Sequence, residues 1–408
     1  MLNGLKSLYV CYFGLREPLV QTQVLPYLRE LASGGVDVRL LTFEPIPPST
    51  WKVADANQER EKLGTEGITW DHLPYHKSPS VPATLYDIFR GSLRVARTVR
   101  REGVDIVHAR AHIPLAIAML ARRLSGFALI FDIRGFMAEE YADAGIWSNS
   151  SLPFRMVKRL EEAGLRSADQ IVVLTRKARE HLASERGVDP AKVTVIPCCV
   201  NTGFGTEDAP ASGSDRFELV YAGSVTGLYM LPEMTDFFAA LKSRVPDAFF
   251  RVMTKAEPSA VERVFSAKGI AKGDFLVEAV RPEEVVARMR RARLGISFRK
   301  PTFSQVAASP TKVPEYLLAG LPVVTNAGIG DTDEMVRENE VGVIVEGFSA
   351  EMLSSAADAA IAIASAPDTA GRCVETANRE YSLGDVGGPR YREVYRQIGD
   401  RIKGEVVK

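Results

Sequence analysis

The densest run of chemistry-bearing residues is Ser309-Pro310-Thr311-Lys312-Val313-Pro314-Glu315-Tyr316-Leu317-Leu318-Ala319-Gly320, which leads into Leu321-Pro322-Val323-Val324. It reads as a short helix followed by a strand. Ser309 or Thr311 stands at the N-cap, Pro314 lies in the first turn where a missing N–H costs nothing, and Gly320 suits the left-handed position past the end. A helix N-terminus offers unpaired N–H groups and the positive end of the peptide dipoles. Lys312 beside it adds a full charge, which is the outline of a diphosphate site. Glu315, one turn on, has two carboxylate oxygens and could accept both hydrogen bonds of a ribose diol. An ordinary capped surface helix is the plainer reading of the same residues.

Three more loops carry reactive side chains. A strand at 104–107 runs into His108-Ala109-Arg110-Ala111-His112-Ile113-Pro114. The His108/His112 spacing could be half of a zinc site, but no Cys or acidic residue stands at ligand spacing, so no metal is expected. His108 alone reads as a buried strand-end histidine bonded to backbone. After a strand at 127–131 come Asp132 and Arg134. Asp132 could take a proton from, or orient, an acceptor hydroxyl, and Arg134 could hold an anionic group; an internal Asp132–Arg134 ion pair accounts for them equally well. Glu139 and Glu140 read as the start of a solvated helix with Trp147 beneath. Gly14, at the end of the first strand, would let backbone approach a ligand closely. No G-x-G-x-x-G occurs, which speaks against a dinucleotide dehydrogenase; Gly328-Ile329-Gly330 reads as a loop before a capping box of Asp331 and Glu334.

The elements that must position these loops alternate short β-branched runs with longer helical segments, the signature of parallel α/β sheets. One block has candidate strands at 8–13, 36–43, 68–73, 104–108, 127–131, 170–174 and 192–196, with helices such as 21–32 and 153–166. A second has strands at 217–222, 248–253, 275–279, 294–298, 322–326 and 342–345. Two doubly wound domains follow, 1–200 and 201–384, separated by a Gly-, Ser- and Pro-rich linker at 201–215. Alanines at 354–366 favour a surface helix. Glycines and a proline at 381–389 break the pattern before a last helix at 391–398. In such sheets ligands sit outside the strand C-termini, so the site is expected in the cleft between the domains.

With these motifs in place the chain resembles the family 4 glycosyltransferases. The resemblance rests on SPTKVPEYLLAGLPVV, on the opening stretch from Tyr12 to Glu44, on VIPCCVN ending the first domain and on YAGSV opening the second. The opening looks like members involved in bacterial surface or exopolysaccharide assembly. The resemblance implies a GT-B fold, two facing Rossmann-like domains with residues 385–408 crossing back to the first. It implies transfer of a sugar from a nucleoside-diphosphate sugar to a hydroxyl of a glycan, lipid-linked or small-molecule acceptor, with retention and without a cofactor or essential metal. It also implies that His112 or Arg110 touches the donor sugar, and that Ser309, Thr311 and Lys312 hold the diphosphate. Two departures stand out. Ala307 occupies the position of the first of the family's paired acids, and Ser224 and Tyr229 replace an Arg and a Lys that usually face the phosphates. Lys312 and then Lys255, after the strand at 248–253, are the candidates to make up that charge. A binding protein that has lost turnover and a nucleotide-sugar epimerase are the rival readings.

Composition sets outer bounds. The 408 residues are too many for one ordinary domain, and 51 Lys+Arg against 51 Asp+Glu argue against a nucleic-acid binder. Four scattered cysteines suggest a reducing compartment, and the start lacks a signal-peptide pattern, so a cytoplasmic protein is expected. Arg90, Arg94, Arg97 and Arg101 fall on one stripe of a helix from about Thr84. A solvated face is the plainer reading, and contact with the inner face of an anionic membrane the sharper one.

Overall fold

The computed structural model describes residues 2–47, 51, 53–202 and 216–406, so most of the linker expected at 201–215 lies outside the described residues. The chain divides into two compact units, Met1–Pro197 with Val386–Lys408, and Cys198–Asp385. The sequence boundaries at 200/201 and 384/385 are within three residues of these divisions.

The first unit holds β1 (Lys6–Cys11), β2 (Asp37–Glu44), β3 (Ile68–Pro74), β4 (Ile106–Arg110), β5 (Ala128–Asp132), β6 (Gln170–Val173) and β7 (Val193–Val195). They form one parallel sheet in the order β3-β2-β1-β4-β5-β6-β7. All five residues of β4 are buried, as strands covered by helices on both faces require. Register aligns Cys11, Arg110 and Asp132 in one row at the C-terminal ends of β1, β4 and β5. The single helix expected at 21–32 is two, Pro18–Gln23 and Leu25–Ser33, broken at Val24. Pro26 lacks the N–H that would bond the Thr22 carbonyl in a continuous helix, and its ring would clash with that carbonyl, whereas the first turn of a new helix accommodates it.

The chain end returns to this sheet. A helix ends at Tyr381, a π-turn spans Leu383–Gly387, and the last helix runs Gly388–Val406, starting earlier and ending later than expected. Its Tyr395 hydroxyl lies 2.9 Å from Ser7 Oγ and 3.0 Å from His108 Nδ1, and its Tyr391 hydroxyl donates to Asp132 Oδ2 at 2.9 Å.

The second unit contains β8 (Glu218–Ala222), β9 (Phe249–Met253), β10 (Phe275–Glu278), β11 (Leu294–Ser297), β12 (Val323–Asn326) and β13 (Gly342–Val345). Its parallel sheet is ordered β10-β9-β8-β11-β12-β13, so the strand order reverses between β8 and β11. The alanine-rich helix, Ala350–Ser365, is not merely a surface element: Ala356, Ala357 and Ala360 are buried in the core with Phe237 and Phe238, where small side chains permit close approach. Among the described residues no helix is long and apolar enough to cross a membrane.

The Tyr391–Asp132 bond gives a direct test of how the last helix is held. Tyr391→Phe should cost about 1–3 kcal/mol, the penalty for stripping a partner from a buried carboxylate. Arg396→Ala, which removes exposed ion pairs to Glu393 and Asp400, should cost no more than about 1 kcal/mol. Urea unfolding of both variants, with equal losses, would refute the assignment.

Candidate functional site

The reversal of strand order in the second unit brings two loops together, one after β8 and one after β11. They are joined by an isolated antiparallel bridge between Tyr229 and Arg299. Lys312 enters the same place from the short helix Lys312–Leu318. Its Nζ lies 3.2 Å from the Tyr221 hydroxyl and 3.8 Å from the centre of the Tyr229 ring. The Arg299 guanidinium sits 4.8 Å from the centre of that ring, and its Nη1 donates to the Tyr229 hydroxyl at 3.2 Å. Two cations therefore share one tyrosine. Among the described residues neither has a carboxylate within ion-pair distance. Burial, reinforced by the Arg299 charge, pushes the Lys312 amine well below its ordinary pKa.

The helix is placed by Tyr316, which is fully buried. Its hydroxyl accepts from the Ala222 N–H and donates to the Ile296 carbonyl, both at 3.1 Å, tying the helix to β8 and β11. Gly295 makes room for it, since a Cβ there would stand 2.4 Å from the ring. Arg299 is oriented by Gln305, whose Oε1 accepts from Nε at 2.5 Å, and its backbone N–H donates to Asn326 Oδ1 at 2.8 Å. Gly223, exposed after β8 with φ +133°, lies directly over the amine: a Cβ there would be 3.1 Å from Lys312 Nζ. Glu315 is half-buried and its carboxylate accepts no hydrogen bond among the described residues; burial raises its carboxyl to about 7 against the pull of Lys312.

Several expectations for this segment need correction. Neither Ser309 nor Thr311 caps the helix: Ser309 Oγ accepts from the Cys198 N–H at 3.1 Å, and Thr311 is itself helical, with φ −57°. The entry is a tight turn in which the Val313 N–H already bonds the Pro310 carbonyl, so a seven-residue helix has little free N–H to offer. Gly320 does take the left-handed conformation, with φ +77°. Ala307 is buried in a 3₁₀ turn, Phe303–Ala307. Ser224 is exposed and contacts Thr226, while Lys255 is exposed just past β9 and does not join the Lys312 cluster. Asp331 stands at the N-cap position of the helix Thr332–Asn339, and in the loop before it the Gly328 and Ile329 N–H groups donate to Asp333.

In the first unit Arg110 and His112 flank Ala111, whose φ of 66° and ψ of −173° fall in a region that residues with a side chain rarely occupy. Both neighbours are buried. His112 Nε2 lies 3.0 Å from Glu161 Oε2, and Glu161 is also held by Lys158 at 2.5 Å. Asp132 is fully buried beside Arg134, the internal pairing that is one of its two readings. Burial would raise its pKa, but the Arg134 guanidinium at 3.6 Å and the His108 imidazole hold it at about 2. A carboxylate with so low a pKa is a poor base near neutral pH. His108 is buried as expected but bonds the Tyr395 hydroxyl, not backbone. Gly14 is close-packed against Glu44 and Pro45, 2.8 Å from the Cβ it lacks, so its space is filled from within the protein. Glu139 is ion-paired to Lys158 rather than solvated, while Trp147 does pack against Tyr141.

Sequence reasoning missed Arg299 and Glu161. Arg299 follows a strand C-terminus directly and was legible by the rule used for the other loops. Glu161, mid-helix and 49 residues from His112, carried no signal.

Residues 20–199 match the model of the glycosyl transferase 4-like domain. Over 153 residues the chain is 27% identical to a phosphatidylinositol N-acetylglucosaminyltransferase subunit of Arabidopsis thaliana, a match spanning 36% of this chain and 31% of that relative. The fold is similar to that of a glycosyltransferase from Rickettsia africae, with TM-score 0.70, 16% identity, and 97% and 99% of the two chains covered. It is also similar to that of Anabaena HepE in complex with UDP and glucose, with TM-score 0.67, 13% identity, and 98% and 99% covered. The first unit thus carries a match to a glycosyl transferase 4-like domain, and the two parallel Rossmann-like sheets give the chain the GT-B fold.

Proposed function

We propose that the chain transfers a sugar, with retention, from a nucleoside-diphosphate sugar to a hydroxyl of a glycan, lipid-linked or small-molecule acceptor. The observation that carries this reading is the pair Lys312 and Arg299 on the Tyr229 ring, with no carboxylate at ion-pair distance among the described residues, where the strand order of the second sheet reverses. Breaking the sugar–phosphate bond leaves charge on the departing diphosphate, and fixed cations stabilise that charge most where water is scarce. Lys312 and Arg299 take this task, and Glu315 accepts from the ribose diol. The Anabaena structure, which holds UDP and glucose, supports the donor class. Arg110 and His112 are assigned to the sugar from the first unit. Peripheral contact of the helix carrying Arg90 to Arg101 with an anionic membrane, where a lipid-linked acceptor would lie, belongs to the same reading.

The buried Ala307 favours a second reading, a protein that binds donor without turnover. Incubation with labelled nucleotide sugars and a membrane extract separates the two: product in which the label has moved to an acceptor supports transfer, and binding without transfer or hydrolysis overturns it. An epimerised sugar nucleotide would identify the isomerase of this fold.

Binding of UDP or another nucleoside diphosphate should weaken about 10- to 100-fold in Lys312→Ala and in Arg299→Ala, the range for losing a charged hydrogen bond. Unchanged affinity would remove either residue from the phosphate site. An anion bound at Lys312 raises its depressed pKa, so binding takes up a proton. Affinity should therefore fall as pH rises above the free amine's pKa, and this alkaline limb should vanish in Lys312→Ala. Glu315 accepts best when ionised, so affinity should also fall below about pH 7, and this acid limb should vanish in Glu315→Gln. Gly223→Ala should weaken binding as well, because its Cβ would press on the amine, at a stability cost of about 1 kcal/mol for the positive φ. Calorimetric titration checks all four.

A further inference from the structure

The helix Ser80–Glu102 is fixed on the first unit by its small residues. Gly91 lets it settle on Ile117 and Phe43, where a Cβ would stand 2.9 and 3.1 Å away, and Ala83, Val95, Ala96 and Val99 are buried. That seating leaves an apolar ridge on the outer face. Val81, Leu85, Phe89 and Leu93 recur at every fourth position and are 55%, 52%, 56% and 48% exposed, with Tyr86 beside them at 48%. Arg90, Arg97 and Arg101 lie on the exposed surface with them. Arg94 is instead engaged by Asp71 at 2.9 Å, and Arg100 by the Leu124 carbonyl. Among the described residues of this helix the outer face carries no carboxylate. Asp87 is buried against Tyr12 and His76, and Glu102 pairs with Arg39.

We infer that this face docks on an anionic bilayer, the ridge Val81-Leu85-Phe89-Leu93 entering the acyl boundary while Arg90, Arg97 and Arg101 meet lipid phosphates. The inference rests on the membrane contact read above and gives it a mode, insertion rather than charge alone. An amphipathic helix with an apolar row beside a row of arginines matches the layering of hydrocarbon and anionic headgroups. A second copy of the chain is a poor occupant, since a two-fold contact through this face would bring arginine toward arginine.

Flotation with vesicles of phosphatidylcholine, alone or mixed with phosphatidylglycerol, tests it. The full chain should float with the mixed vesicles, and part of that binding should survive high salt. Leu85→Ser/Phe89→Ser should lower binding about tenfold or more at both salt concentrations, whereas Arg90→Glu/Arg97→Glu should lower it chiefly at low salt. Should the first double variant not fold, Phe89→Trp keeps the test open, because its emission should shift to the blue on mixed vesicles. No flotation of the unaltered chain, undiminished flotation of the serine variant, or an unshifted Trp emission overturns the inference. So does a concentration-dependent dimer abolished by the serine substitutions, or capture of an acidic protein in place of vesicles. Nucleotide binding by the second unit is read separately, so failure here leaves the transferase reading standing, and failure of transfer leaves this one.

Discussion

Two positive charges held against one tyrosine ring, with no acid bonded to either among the described residues, are the constraint around which the second unit is arranged. Such an arrangement is unfavourable in isolation: burial penalises the Lys312 ammonium, and Arg299 repels it. It persists because both side chains are placed by groups with no freedom to relax. Tyr316 anchors the helix that carries Lys312 to two strands, and Gly295 and Gly223 are bare where any side chain would collide. Gln305, itself fully buried, fixes Arg299. The aromatic face gives both cations some attraction, worth less than a carboxylate would supply. What is left over is affinity for an anion.

Much of this was legible in the sequence. Every strand lies within two residues of its expected bounds, because runs such as Gly342–Val345 are too short and too uniformly apolar to be surface helices. Lys312, Glu315 and the left-handed Gly320 were found from spacing alone. The failures share one cause, that side chains were read against their own segment. Ser309 looks like a cap until Cys198, 111 residues away, takes its oxygen. Asp132 looks like a base until Tyr391, 259 residues away, fills its outer side. The Ser224 and Tyr229 substitutions looked like a loss of phosphate-binding charge, yet Tyr229 became the surface on which the remaining cations lie.

The first sheet shows how the same topology can be put to another use. Arg110, Asp132 and Arg134 also gather at strand ends, but there the acid stands among the cations, and its carboxyl is held at about 2. In that cluster Asp132 pairs with Arg134 and accepts from the Tyr391 hydroxyl. Its buried aspartate contributes stability above its unfolded-state pKa, and loses it as pH falls from about 4 towards 2. It therefore serves to hold the returning chain end in place.

The contrast between the two sheets supports the proposal that an anion binds at the second. Both place cations at the carboxyl ends of central strands, where ligands of such folds bind. Among the described residues, Lys312 and Arg299 in the second have no carboxylate at ion-pair distance, and an exposed glycine, Gly223, lies over the amine. A zero net charge is compatible with this because it is a sum: the acids that balance the total are spent on Arg134, Lys158 and Arg251. A diphosphate entering the second unit would meet two unspent charges on a fixed ring. In the first it would have to displace a buried aspartate that is already ionised.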